Sequence, residues 1–210
     1  MTMKRALIEL HFLPNLEYFS AIRGIDQLVV ERYEHFNKQT LRNRCMIMTT
    51  QGPHRLTVPV TEKHGKVPIT DIRLDERTRW RQQLWRSMVS AYAKAPFFEH
   101  YASDLERELF RKHTRLYDLN LSILSMCLAW IGSSTIISES VSYEKNPESG
   151  IIDLREVISA KSAFSTRNYY AGRPYQQVFG SVFEPNLSLV DLIFCEGPRS
   201  GEFLGLDRRG

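Results

Sequence analysis

Chemistry is densest in one stretch, Glu31 to Arg44, which reads ERYEHFNKQTLRNR. It offers carboxylates at Glu31 and Glu34, an imidazole at His35, and cations at Lys38, Arg42 and Arg44. Lys38, Arg42 and Arg44 have the charge to hold phosphate, Gln39 and Asn43 can read an amide or hydroxyl, and Tyr33 can stack on a ring. His35, whose unperturbed pKa is about 6.5, can act as a general base, with Glu31 or Glu34 orienting it. The plainer alternative is that the basic residues are solvated and His35 caps a turn, and the residues alone leave both open. Metal binding by Glu31, Glu34 and His35 meets a geometric objection. Neighbours on a strand point to opposite faces, so Glu34 and His35 cannot share one ion without a bend.

Rigid flanks are what make such a stretch a site. Leu28-Val29-Val30 precedes it and Cys45-Met46-Ile47-Met48 follows it, both strand-like. Upstream, Arg5 to Phe12 (RALIELHF) reads as a buried strand. Leu13-Pro14-Asn15 breaks that strand, and Asn15 can N-cap a short helix carrying Leu16, Phe19 and Ile22. Gly24 ends the helix and Asp26 to Glu31 starts the second strand, so the chain opens as an α/β layer. Ligands gather at the carboxyl edge of such a layer, which brings His11 and Glu31 beside the central stretch.

Downstream, Cys45 to Val60 reads as a β-hairpin turning at Gln51-Gly52-Pro53, then a polar loop over 61–68 and a short strand from Ile69 to Leu74. The middle is helical. Trp80, Leu84, Met88 and Tyr92 recur every four residues up to Pro96. A second helix is expected over Ser103–Lys112 and a third over Arg115–Ile131, ended by Gly132. Ser133 to Tyr143 is strand-like, and Ile151 to Ile158 is a short segment before a polar stretch over 159–174. Two helices are expected to close the chain, Tyr175 to Phe183 and Leu189 to Glu196, with Ser188 and Asp191 as a capping pair for the latter. The fold class is α/β (or α+β), a single domain over 1–210. An α/β part (1–75) carries the polar site, with a helical part (76–132) and a closing segment (133–210) packed on it. Trp80-Arg81 reads as core more than as a cation–π platform, and Asp191 as a cap more than as a catalytic acid.

Composition narrows the function classes. At 210 residues and 42% hydrophobic the chain can bury a substantial core. The net charge is +4, with 20 Arg against 8 Lys, and the guanidinium fork favours anionic ligands. The three cysteines, Cys45, Cys127 and Cys195, are far apart and form no CxxC pair, so neither a zinc ribbon nor a disulfide framework is expected. No Walker loop, strand-linked GxGxxG or GxSxG elbow occurs, which argues against ordinary ATPases and dehydrogenases. No metal or cofactor is expected, no apolar run reaches the roughly 20 residues needed to span a membrane, and a cytoplasmic location is expected.

Several segments together resemble the WbqC-like protein family, in particular its Bacteroidetes-type branch. They are LPNLEYF at 13–19, ERYEHFNKQTLRNRC at 31–45, GPHRLTVPV at 52–60, WRQQLWRSMVSAYAKAPFFEHY at 80–101 and PYQQVFGSVFEPNLSLVDLIFCEGP at 174–198. The resemblance places the family's polar signature on Tyr33, Lys38, Gln39, Arg42, Asn43, Arg44, Trp80, Arg81, Tyr175, Gln176 and Asp191. It departs at Leu10-His11-Phe12, where the family often has Gln-Pro and a Trp, and at Cys195-Glu196, where an Asn is usual before Gly-Pro. The family takes its name from surface-polysaccharide gene clusters. The resemblance therefore implies a transferase acting on a nucleotide-linked or phosphorylated amino sugar. An RNA-binding protein using the 31–44 segment, with Tyr33 and Phe36 as stacking faces, and a non-catalytic interaction module are the rival expectations. The expected partner is an anionic small molecule, with nucleic acid second and no membrane insertion.

Overall fold

A computed structural model describes residues 3–61 and 65–206. Its strands are β1 (Arg5–Ile8), β2 (Gln27–Val30), β3 (Arg44–Thr49), β4 (Gly52–Thr57), β5 (Ile136–Glu139) and β6 (Ile151–Asp153). Its helices are α1 (Leu16–Ala21), α2 (Trp80–Tyr92), α3 (Phe98–Phe110), α4 (Leu116–Trp130), α5 (Leu189–Glu196) and α6 (Ser200–Phe203). The architecture is α/β: a four-stranded parallel sheet in the order β5-β2-β1-β6, with β3 and β4 forming a separate antiparallel hairpin.

The sheet follows from its sequence. Ala6, Ile8, Leu28 and Val30 lie on one face and are wholly buried, with Ala6 opposite Leu28 and Ile8 opposite Val30. The chain leaves β1 for β2 on one side and returns to β6 on the other. The carboxyl ends of β1 and β6 therefore flank the topological switch point, where parallel sheets make their ligand crevices. Asn15 caps α1 as expected, its Oδ1 accepting from the Tyr18 N–H at 3.1 Å. Gly132, at φ +65°, follows α4 where a left-handed residue closes a helix.

Several expected boundaries move. The first strand stops at Ile8, because Glu9 and His11 turn their polar ends to one another and to neighbouring loops. Ile69–Leu74 is a 3₁₀ turn over Ile69–Asp71 followed by isolated bridges from Arg73 to Arg115 and from Leu74 to Val60. The second helix of the middle starts at Phe98, directly after the Pro96 step. The helix expected over Tyr175–Phe183 does not form. That stretch is irregular, because Tyr175 and Gln177 both reach the same buried carboxylate, Asp191. Ser188 and Asp191 are not a side-chain capping pair either: the Ser188 hydroxyl donates to Leu13 O, and Asp191 receives side chains from elsewhere. The strand-like segments at 136–139 and 151–153 add the two outer strands to the N-terminal sheet, so the closing segment is part of the α/β layer. The polar loop over 61–68 lies partly outside the described residues.

Candidate functional site

At the carboxyl edge of the parallel sheet lies a buried polar cluster. Glu9 and His11, just past β1, are each 1% exposed. Two residues apart in extended chain, they point the same way, and His11 Nε2 lies 3.3 Å from Glu9 Oε1. The other carboxylate oxygen, Glu9 Oε2, accepts the Glu156 backbone N–H at 3.0 Å. Burial alone would raise the Glu9 pKa. The His11 hydrogen bond, the charges of His11 and Arg42, and the Glu156 N–H outweigh it and hold this carboxyl below its ordinary value. A carboxylate only accepts, so Nε2 is the nitrogen that donates. His11 Nδ1 is buried without a protein partner, and in the neutral ring that donates through Nε2 it is the acceptor.

The Glu31–Arg44 stretch surrounds this pair but splits in two. Its buried half is Glu31, Glu34, Arg42 and Asn43, while Tyr33, His35, Lys38 and Gln39 are exposed. Arg42 forks onto Glu34, its Nε donating to Oε1 at 2.8 Å and its Nη2 to Oε2, and it lies 3.9 Å from Glu9 Oε1. Burial works against the Arg42 charge, but Glu34, Glu9 and Glu156 raise its pKa overall. Asn120 of α4 holds the Arg42 carbonyl at 2.7 Å, and Asn43 donates to Val58 O at 2.8 Å. Glu31 accepts the Tyr33 N–H at 2.8 Å, the Ser140 hydroxyl at 2.9 Å and Arg155 Nη1 at 3.1 Å.

These engagements bear on two expectations. Arg42 is bound on both sides by carboxylates, so it organises the cluster and does not present a phosphate fork. His35 is exposed and bridges Pro68 through its backbone, while Glu31 and Glu34 direct their carboxylates to Arg155 and Arg42. In this cluster the imidazole beside a carboxylate is that of His11. Of the neighbours Glu34 and His35, which lie outside the strands, the first is buried and the second exposed. Arg44 is half-buried on β3, and its Nε has no partner.

The remaining expected residues lie in two other places. Trp80 is buried at the start of α2 with Arg81 stacked 4.4 Å above its ring. Arg81 also donates to Leu109 O, His113 O and Glu76, which ties α2 to the end of α3 and does not reach the cluster at Glu9. Asp191 forms a separate centre, accepting from Tyr92 at 2.7 Å, Tyr175 at 2.5 Å and Gln177 at 3.0 Å. The Tyr92 hydroxyl in turn accepts the Met48 N–H, which fastens the hairpin to α2 and α5. Burial raises the Asp191 pKa even though all three donors favour its charge. Gln176 is exposed and donates to the Gln177 carbonyl.

The residues that sequence reasoning missed are Glu9, Arg155 and Glu156 at the edge, and Glu17 and Arg167 beside it. Glu17, at the start of α1 and fully buried, receives Arg167 at 2.6 and 2.7 Å. Charges interrupting the apolar run at Glu9, His11 and Glu17 were the available signal; the distant partners, Glu156 for Glu9 and Arg167 for Glu17, gave none. Backbone strain gathers at the same edge. Among the described residues, positive φ outside glycine occurs at Leu13, Gln39, Glu156 and Asn186, and the last of these lies against Glu17. A cavity of about 1190 Å³ lies at the opposite, amino edge of the sheet, near Lys4, Arg23, Asp26, Trp130 and Ser133. None of the carboxyl-edge residues lines it. Among the described residues, no helix is long and apolar enough to cross a membrane.

The model of the WbqC-like protein family matches residues 10–173. The chain is similar to the uncharacterized protein Rv1507c of Mycobacterium tuberculosis, at 29% identity over 228 residues, covering 96% of this chain and 97% of the relative. No solved structure matches.

Proposed function

The chain belongs to the WbqC-like protein family, and we propose that it is a group-transfer enzyme whose centre is the Glu9–His11 pair. The observation that carries this reading is the buried imidazole at the switch point of the sheet, fixed by a carboxylate through Nε2 and unpartnered at Nδ1. In that role His11 Nδ1 takes the proton from an accepting amine or hydroxyl as the acceptor forms its new bond to the donor's acyl or aminoacyl carbon. The donor's leaving group departs with the electron pair and receives the proton from His11. Glu9 holds the ring and balances the imidazolium. Arg42 and Glu34 form the wall behind it.

The charges in this cluster also bear on the substrate. Arg42 and Arg155 are both bound by carboxylates, so the reacting end of the acceptor is a neutral amine or hydroxyl, not a phosphate. A phosphorylated or nucleotide-linked sugar fits if its anionic end points outward, away from the buried carboxylates. On this reading the acceptor is an amino or hydroxyl sugar phosphate of surface-glycan synthesis.

The test is a thermal-shift panel of nucleotide sugars, sugar phosphates, aminoacyl donors and a short RNA, run on the wild type and on His11→Gln. A bound ligand at a hundredfold excess over Kd stabilises by about 2.7 kcal/mol. The expected result is a sugar-phosphate shift of similar size in both proteins, with turnover in the wild type alone. A shift from RNA only, falling steeply with salt, replaces this reading with nucleic-acid binding.

A further inference from the structure

We propose that residues 154–167 form a gate over the Glu9–His11 pair, latched by Arg155 on Glu31 and by Arg167 on Glu17. The inference rests on the reading of His11 as the base, because a base that meets substrate cannot stay sealed. His11 and Glu9 are each 1% exposed, and the segment after β6 reaches the pair at Glu9. Its Glu156 N–H is bonded to Glu9 itself, Asn37 reaches the Glu156 carboxylate at 3.1 Å, and Leu154 and Ile158 are buried against the body.

How the segment is held explains why it, and not its surroundings, moves. Leu154 makes the last ladder-like bond, its N–H on Leu7 O at 2.8 Å. Beyond it, side chains provide the ties to the body. Arg155 reaches Glu31 at 3.1 Å and Arg167 grips both oxygens of Glu17, two carboxylates that are themselves fully buried. Between the latches, Ala160 to Ala163 are exposed and Phe164–Thr166 make one 3₁₀ turn. Few backbone bonds break on opening, one mark of a low-stability unit, and the apolar anchors Leu154 and Ile158 lie at the β6 end of the segment. Glu156 sits at φ +58°, a strained conformation for a side-chain-bearing residue, and opening relieves it. Closure in turn excludes water from the pair.

The opening is read without knowing the substrate, by amide hydrogen exchange and by diethyl pyrocarbonate acylation of His11 followed by mass spectrometry. The reference is the Glu31 amide, bonded to Ile8 O at 2.8 Å within the sheet layer. In the wild type the Glu156 amide is expected to exchange at least tenfold faster than the Glu31 amide. Arg167→Gln is expected to speed both Glu156 exchange and His11 acylation about tenfold while leaving the Glu31 amide unchanged. Equal wild-type exchange at Glu156 and Glu31 overturns the gate, because the segment then opens only with the whole protein. So does an Arg167→Gln protein with an unchanged Glu31 amide and unchanged His11 acylation. Should that variant unfold, the wild-type ratio alone decides. A working gate combined with a His11→Gln protein of full turnover leaves the gate standing and removes His11 from the chemistry.

Discussion

Arg42 is a cation in a basic-looking stretch that folding removes from solvent and commits to Glu34, with Glu9 close by. Truncating it strands carboxylates in the interior, and an uncompensated buried charge costs about 3–5 kcal/mol. Arg42→Ala is therefore expected to lower the urea midpoint strongly, whereas Arg42→Met with Glu34→Leu recovers most of the loss. Glu9 supplies a pH signature. Its pKa is held below the ordinary 4.5, so its contribution to stability is fully present above that value and is lost as pH falls through the lowered folded value. Glu9→Gln is expected to flatten the acid limb of stability measured by denaturation between about pH 5 and pH 2, the range in which paired carboxylates titrate. Asp191 runs the other way. Its raised pKa means that its burial penalty is relieved as acid protonates it, so it does not contribute to acid unfolding. Burial also lifts the thiols of Cys45, Cys127 and Cys195 far above the ordinary range. All three are expected to resist a thiol reagent in the native state and to react in denaturant.

At the scale of elements, two glycines separate strain from space. Gly132, at φ +65°, has no neighbour within 4 Å of a built Cβ, so Gly132→Ala bears only the left-handed penalty of about 1–2 kcal/mol. Gly197, at φ +55°, would place its Cβ 2.4 Å from the Phe97 ring, at the junction of α5 and α3. Gly197→Ala is expected to lower the melting temperature by clearly more than Gly132→Ala, and equal shifts would mean that the Phe97 ring yields freely. The helices illustrate which elements could be read locally. α2 and α4 come close to the expected spans because an apolar stripe and a terminal Pro or Gly define them from within. The expected helix at Tyr175–Phe183 fails because its conformation is set from outside, by Asp191 drawing in Tyr175 and Gln177.

The whole molecule unites the two ends of the chain around one edge. β6 and the segment after it bring Arg155 and Glu156 to Glu31 and Glu9, 124 and 147 residues away in sequence. The closing segment also docks onto the first turn, with Leu16 N–H on Leu187 O and Ser188 Oγ on Leu13 O. The carboxyl edge is thus both a site and a seam: Glu9, Glu17 and Glu31 are partnered across it, and His11 Nδ1 is left without a protein partner.

The sequence by itself determined the α/β opening, the hairpin, the long helices and the region of the carboxyl edge, because hydrophobic period, caps and breakers act within a few residues. Which imidazole gains a carboxylate, which arginines are consumed by ion pairs and which acid is walled in by tyrosines were decided only by tertiary structure. Those outcomes depend on partners brought together across the chain, and on a burial that turns a solvated charge into one that must be matched.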